Sequence, residues 1–262
     1  MTDGLGIWLY AVTSTEDGPV VLGDITGVAG EAPRTVAADA LTAVVGSVPL
    51  EVFGDLPLHR NLEDLDWLAA TARAHDAVVS ALVPRGPVVP LRLATVFLDD
   101  DRLVGMLDDR REDFRSALVL VTGRTEWGVK VYCDRATLTD AVTEANIANT
   151  GGGKGTAYLR RRRAQLSAQE SVERDAAARA GEIHQRLVGR AAAGRCQPVT
   201  EPALNGRRDW MVLNGTYLVD DVRTDDFAAT VEELEKDLPG MRLELTGPWP
   251  PYSFAGVDRE SS

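Results

Sequence analysis

Cysteine is scarce. Only Cys133 and Cys196 occur in 262 residues, far apart and in no metal-ligand spacing. A disulfide scaffold is excluded, and the pair reads as two reduced thiols of a reducing cytoplasm. Histidine is nearly as rare: His59, His75 and His184 include no two at the spacing of a local metal pair. No G-x-S-x-G turn is present, so a serine hydrolase of that type is excluded. No apolar run approaches the length needed to cross a bilayer. The opening MTDGLGIWLYAV lacks a basic n-region and moves straight into strand-like sequence, unlike a secretory signal. Self-similarity at solenoid periods is absent. Basic charge is outweighed, 28 Lys/Arg against 40 Asp/Glu, for a net charge of −12. Such a surface repels nucleic acid and anionic membranes, so neither is expected as a partner.

The charge is uneven. Residues 154–195 hold ten Lys/Arg and four Asp/Glu, a local +6 that leaves −18 on the rest. This reads as a solvated helix face or as a charge match to an acidic surface. Hydrophobic content of 44% in a chain of this length supports real cores and two domains.

Strands are expected at Gly6–Thr13, Val20–Ile25 and Leu41–Val48, from alternation and β-branched content. From Leu62, apolar residues at three- and four-residue spacing (Leu65, Leu68, Ala72, His75, Val79, Leu82) predict a helix. Asn61 is its expected cap and Pro84 its end. Val88–Leu93 reads as a short extended piece and Asp100–Val121 as one helix, with Asp99, Asp100 and Asp101 favouring its N-terminus. Glu126–Cys133 alternates as a strand, residues 134–150 are weakly helical, and Thr156–Ala193 predicts a long helix stopped by Gly194. Strands at Cys196–Ala203, Trp210–Val219 and Met241–Thr246 flank a helix at Asp225–Asp237 that Thr224 or Asp225 caps. From Glu126 onward the order is strand, helix, strand, strand, helix, strand, the ferredoxin-like βαββαβ order. The expected fold is therefore α+β in two domains. An N-terminal α+β unit spans residues 1–123, and a ferredoxin-like domain with a long helix and an aromatic, proline-rich tail spans 124–262.

Little of this carries chemistry. GGGKGT (151–156) lacks the first glycine of a phosphate loop and the hydroxyl residue after its lysine, so it reads as a hinge. His75 falls on an apolar helix face and reads as a core histidine with its ring nitrogens hydrogen-bonded. No catalytic, cofactor-binding or metal-ligating residue is expected. Two features stand outside the core pattern. Arg160, Arg161, Arg162 and Arg163 surround a helix and suit an acidic body or partner. The tail GPWPPYSF (247–254) joins prolines that limit the entropy lost on docking to aromatics that supply contact area. It either folds back over its own domain or presents Pro248, Trp249, Pro250, Pro251, Tyr252 and Phe254 to another protein.

EWGVKV (126–131), GTAYLRRR (155–162), ARAHDAVV (72–79), VVPLRLATVF (88–97) and above all RLELTGPWPPYSF (242–254) resemble the gas-vesicle F/L family, of an actinobacterial type. The resemblance runs from the first strand to the tail. It implies a minor constituent or assembly factor of gas vesicles, located at the vesicle in the cytoplasm. It implies contact with the small hydrophobic shell protein GvpA and with other accessory proteins, and a role in limiting shell-protein aggregation during nucleation. It implies no catalysis and no cofactor. The alternative is a ferredoxin-like protein that senses a small molecule or acts as an enzyme.

Overall fold

The computed structural model describes residues 4–18, 22–133, 157–199, 210–238 and 240–256, the side chains of residues 17 and 157–169 excepted. The expected features at residues 20–21, 134–150, 151–156 and 200–203 lie outside the described residues. The chain is α+β and divides into two compact units, Met1–Glu126 with Pro248–Ser262, and Trp127–Gly247. The tail thus groups with the first unit, whereas the sequence placed it with the second.

The first unit is built on β1 (Leu5–Ser14), β2 (Arg34–Ala38), β3 (Leu41–Pro49), β4 (Val89–Pro90) and β5 (Val96–Phe97). They form an antiparallel sheet in the order β2-β3-β1-β4, with β5 also on β1. β1 is buried on both faces, which is why GIWLYAV is apolar almost throughout. Register against β3 runs Leu9↔Val45 and then Ala11↔Val44, so Tyr10 is the extra residue of a β-bulge. One face carries Ile7, Leu9 and Val12 into a core with Leu103, Leu107, Phe114 and Leu118. The other carries Trp8, Tyr10 and Ala11 into a core with Phe53, Leu58, Val78, Val79 and Leu82.

The second strand differs from expectation. Residues 22–25 form a turn, with Gly23 at φ 60°, and the strand is β2, Arg34–Ala38. Its RTVAA sequence has modest strand preference. Pairing across the two-residue link Asp39–Ala40 makes it a strand, with Asp39 at φ 51°, a conformation that aspartate tolerates. After β3 come α1 (Leu50–Phe53), α2 (Asp55–Leu62) and α3 (Leu65–Leu82). Asn61 does not cap α3; its amide donates to the Val52 carbonyl. Asp64 is the cap, accepting from the Asp66 and Trp67 amides at 2.9 and 3.2 Å.

The single helix expected over 100–121 is two, α4 (Asp100–Asp109) and α5 (Arg111–Val121), broken at Arg110 with φ −112° and ψ 21°. The buried stripe has no member between Leu107 and Phe114, and the backbone breaks in that gap. Asp99 caps α4 through the Arg102 amide, as its position predicts.

The second unit holds most of β6 (Arg124–Cys133), then α6 (Ala157–Val188), β7 (Ala193–Cys196), β8 (Trp210–Asp220), α7 (Thr224–Asp237) and most of β9 (Met241–Trp249). Its sheet order is β7-β8-β6-β9. Val129, Val131 and Cys133 from β6 pack with Ala176, Ala180, Ile183 and Leu187 of α6 and with Phe227, Val231 and Leu234 of α7. α6 ends at Val188 and not at Ala193. Gly194 is a strand residue opposite Tyr217, where a side chain would press on Val188 and on the Tyr217 ring. α7 has no side-chain cap; Asp225 and Asp226 sit in its first turn.

Two glycines give a contrast. A Cβ on Gly46 would collide with the Glu31 carboxylate and crowd the Tyr10 hydroxyl, whereas one on Gly105 in α4 meets open space. Gly46→Ala is expected to cost roughly 2 kcal/mol, by overpacking. Gly105→Ala is expected to add about 0.5–1 kcal/mol, by helix propensity. Urea midpoints of the two variants check the opposite signs.

Candidate functional site

The candidate site lies in the first unit, where the tail passes over a buried polar and aromatic cluster. Trp8 and Tyr10 are fully buried, and His75 is 2% exposed. His75 lies on the stripe of α3 that also buries Thr71, Val78, Val79 and Leu82. The Trp8 indole N–H donates to His75 Nδ1 at 3.0 Å. Nε2 therefore carries the ring proton and donates it to the Leu91 carbonyl at 3.1 Å. Phe53 meets Trp8 edge-on at 5.5 Å and Tyr10 lies 5.3 Å from the His75 ring. Burial lowers the His75 pKa to about 4, against the smaller opposing effect of the Leu91 carbonyl. Both ring nitrogens of this neutral imidazole are engaged, as expected of a core histidine, and neither is presented to a substrate.

Tyr10 ties the loop after β1 to the sheet. Its hydroxyl donates to Glu31 Oε1 and accepts from the Val28 amide, while Glu31 Oε2 accepts from Ala29. Burial first, and then the Glu31 hydrogen bond, raise the phenol well above its ordinary value.

Over this cluster runs the strap. Pro248 and Trp249 are exposed, Trp249 at 50%. Pro250 and Pro251 are buried, Tyr252 is half-buried, and Phe254 and Ala255 are 1% exposed. Tyr252 stacks at a tilt 6.3 Å from the His75 ring, and its hydroxyl reaches Asp76 Oδ1 at 3.4 Å. Burial, with the Asp76 charge next, raises that phenol too. Ser253 donates its amide and its hydroxyl to the two oxygens of Glu126, at 2.8 and 2.7 Å. Glu126 is only 6% exposed, so this fork satisfies a buried carboxylate. Two turns within the strap, Tyr252 N to Pro250 O and Phe254 N to Pro251 O, hold its shape.

Of the residues singled out in the sequence, the tail members come together here. Arg160, Arg161, Arg162 and Arg163 belong to α6, and their side chains lie outside the described residues. Sequence reasoning missed Glu126 and the Trp8–His75 pair. The available signal was that the N–H of a buried tryptophan usually finds an acceptor. Among the described residues no three His, Cys, Asp or Glu group closely enough to hold a metal ion, and no helix is long and apolar enough to cross a membrane. Cys133 is buried in the second core and Cys196 is exposed.

The family model for the gas vesicle synthesis protein GvpL/GvpF matches residues 6–256. Gas vesicle protein L of Streptomyces sp. (strain CB03234) is 43% identical over 256 residues, covering 97% of this chain and 94% of that one. Gas vesicle protein F of the same strain is 27% identical, covering 84% and 87%. Among solved structures, the crystal structure of GvpF from Anabaena sp. PCC7120 superposes with a TM-score of 0.66 at 18% identity, covering 96% of each chain, which shows the fold.

The depressed His75 pKa has a sign. The unfolded chain binds the proton near the ordinary value of about 6.5, and the folded chain only near 4. Stability present at neutral pH is therefore lost as pH falls through that interval, by roughly 2 kcal/mol between pH 7.5 and 5. His75→Gln should lower stability at pH 7.5 but show an acid loss smaller by about that amount, measured by urea denaturation at the two pH values.

Proposed function

The chain belongs to the gas vesicle synthesis protein GvpL/GvpF family, and from that premise we propose that it is a non-enzymatic accessory protein of gas vesicle assembly. It binds the small hydrophobic shell protein GvpA, together with other accessory proteins, and limits aggregation of the shell protein during nucleation. It works in the cytoplasm, at the forming vesicle. The second unit reads as ferredoxin-like; its element order and its sheet order β7-β8-β6-β9 support that reading.

One observation carries the proposal: an acidic body of net charge −12 that presents a half-exposed tryptophan in a proline frame. A vesicle wall needs subunits with one apolar face, and such faces and their strand edges aggregate when unshielded. Trp249 offers apolar grip whose loss of freedom on binding is reduced by Pro248 and Pro250 on either side. The charge keeps covered shell protein from coalescing with other covered copies. Aromatic anchors of this kind commonly contribute about 2 kcal/mol or more to an interface.

The test separates grip from folding. Co-expressed with shell protein, Trp249→Ala should keep its own melting temperature within a few degrees while the soluble fraction of shell protein and the vesicle yield fall severalfold. Phe254→Ala, a core truncation, should lose about 3–5 kcal/mol of the chain's own stability. Unchanged shell-protein solubility and vesicle yield with folded Trp249→Ala would remove this surface from the mechanism.

A further inference from the structure

We infer that the strap is exchangeable: the groove on the first unit that seats residues 250–255 accepts the same segment from a second copy of this chain. Part of the groove's floor is held without its occupant. His75 is held by Trp8 and the Leu91 carbonyl, and Tyr10 by Glu31 and the Val28 amide, and none of these belongs to the strap. The strap in turn keeps its bend through its own two backbone hydrogen bonds and its prolines. What joins them is a short set of contacts that any identical chain can supply. They are Tyr252 over His75, its hydroxyl toward Asp76, the Ser253 fork on Glu126, and the burial of Phe254 and Ala255.

The connection favours release as one piece. β9 runs through Gly247, at φ 129°, and ends at Trp249, whose side chain like that of Pro248 is exposed. The buried part begins only at Pro250. In the closed chain the strap competes at an effective concentration of order millimolar, so wild type keeps its own strap at ordinary concentrations. An exchanged pair makes every contact twice under a two-fold axis and closes on itself as a dimer. The inference concerns this chain's self-association and does not rest on the shell-protein reading.

Two full-length variants remove the competition within one chain. Glu126→Gln damages the groove and leaves the strap intact; Phe254→Ala damages the strap and leaves the groove intact. Each alone lacks a matched pair within the chain and between copies. Mixed at about 100 µM each, they should form a one-to-one heterodimer in light scattering after gel filtration, at least tenfold tighter than self-association of either, because exchange restores one intact strap–groove contact while the reciprocal one, already broken in each variant, loses little more. If Phe254→Ala fails the circular dichroism check for folding, Ser253→Ala replaces it, since it removes only a hydroxyl. A mixture of folded variants that stays monomeric overturns the inference. So does a heterodimer that forms equally well when both chains carry Glu126→Gln.

Discussion

A buried indole N–H left without an acceptor is costly, and much of the first unit follows from how Trp8 avoids that cost. An unmet donor at a fully buried site costs about 1–3 kcal/mol. His75 Nδ1 accepts the bond, which places the ring proton on Nε2, which in turn requires the Leu91 carbonyl. One relay therefore fixes the rotation of α3, the position of the chain after it and the seat of β1. The same relay makes the imidazole a neutral, flat apolar surface, and Tyr252 lies over it. A charged ring at that place would repel neither carboxylate nor phenol, but it would need water that the packing excludes.

The second constraint is the return of the chain. Trp127–Gly247 is an insertion between two parts of the first unit, so that unit is finished only when residues 248–256 arrive. Its two hydrophobic clusters lie on opposite faces of one sheet, and the strap supplies Tyr252 to one and Ala255 to the other. Glu126 and Ser253, 127 residues apart, join the point of departure to the returning tail. Buried carboxylates are stabilised by charge-assisted donors, and here the donors come from a segment that follows the whole second unit in sequence.

How much of this was legible depended on distance along the chain. α3, β6, β8 and α7 carry clean periodicity, and β1 and β3 are runs of strand-forming apolar residues, so each needs only its own residues to declare itself. His75 was readable as a core residue for the same reason. β2 was not, since RTVAA becomes a strand through its pairing with β3, while the more apolar residues 20–25 include Gly23 at positive φ. The break at Arg110 was visible only as a gap in a stripe. Gly194 was misread because a glycine that ends a helix and one that lets a strand approach Tyr217 look alike in sequence. In the site, the aromatics and prolines of the strap stood out by composition. Their destination did not, because nothing local in GPWPPYSF names Glu126, Asp76 or His75 as neighbours.

Within the strap, burial changes abruptly between Trp249 and Pro250, and that step is informative. A tail that served packing alone would gain from turning Trp249 inward, since full burial of such a ring removes a large apolar area from water. Proline at 248, 250 and 251 restricts the backbone that would have to turn. Rigidity thus does two opposite things a few atoms apart. It helps Phe254 and Ala255 stay docked, and it keeps Trp249 from relaxing onto its own surface. An exposed tryptophan held this way retains its apolar contact energy for another molecule, with little ordering left to oppose the contact. Exposed leucines and valines elsewhere on the chain, such as Leu65 and Val222, have no proline on either side. Trp249 therefore combines apolar area with a conformation already restricted for binding.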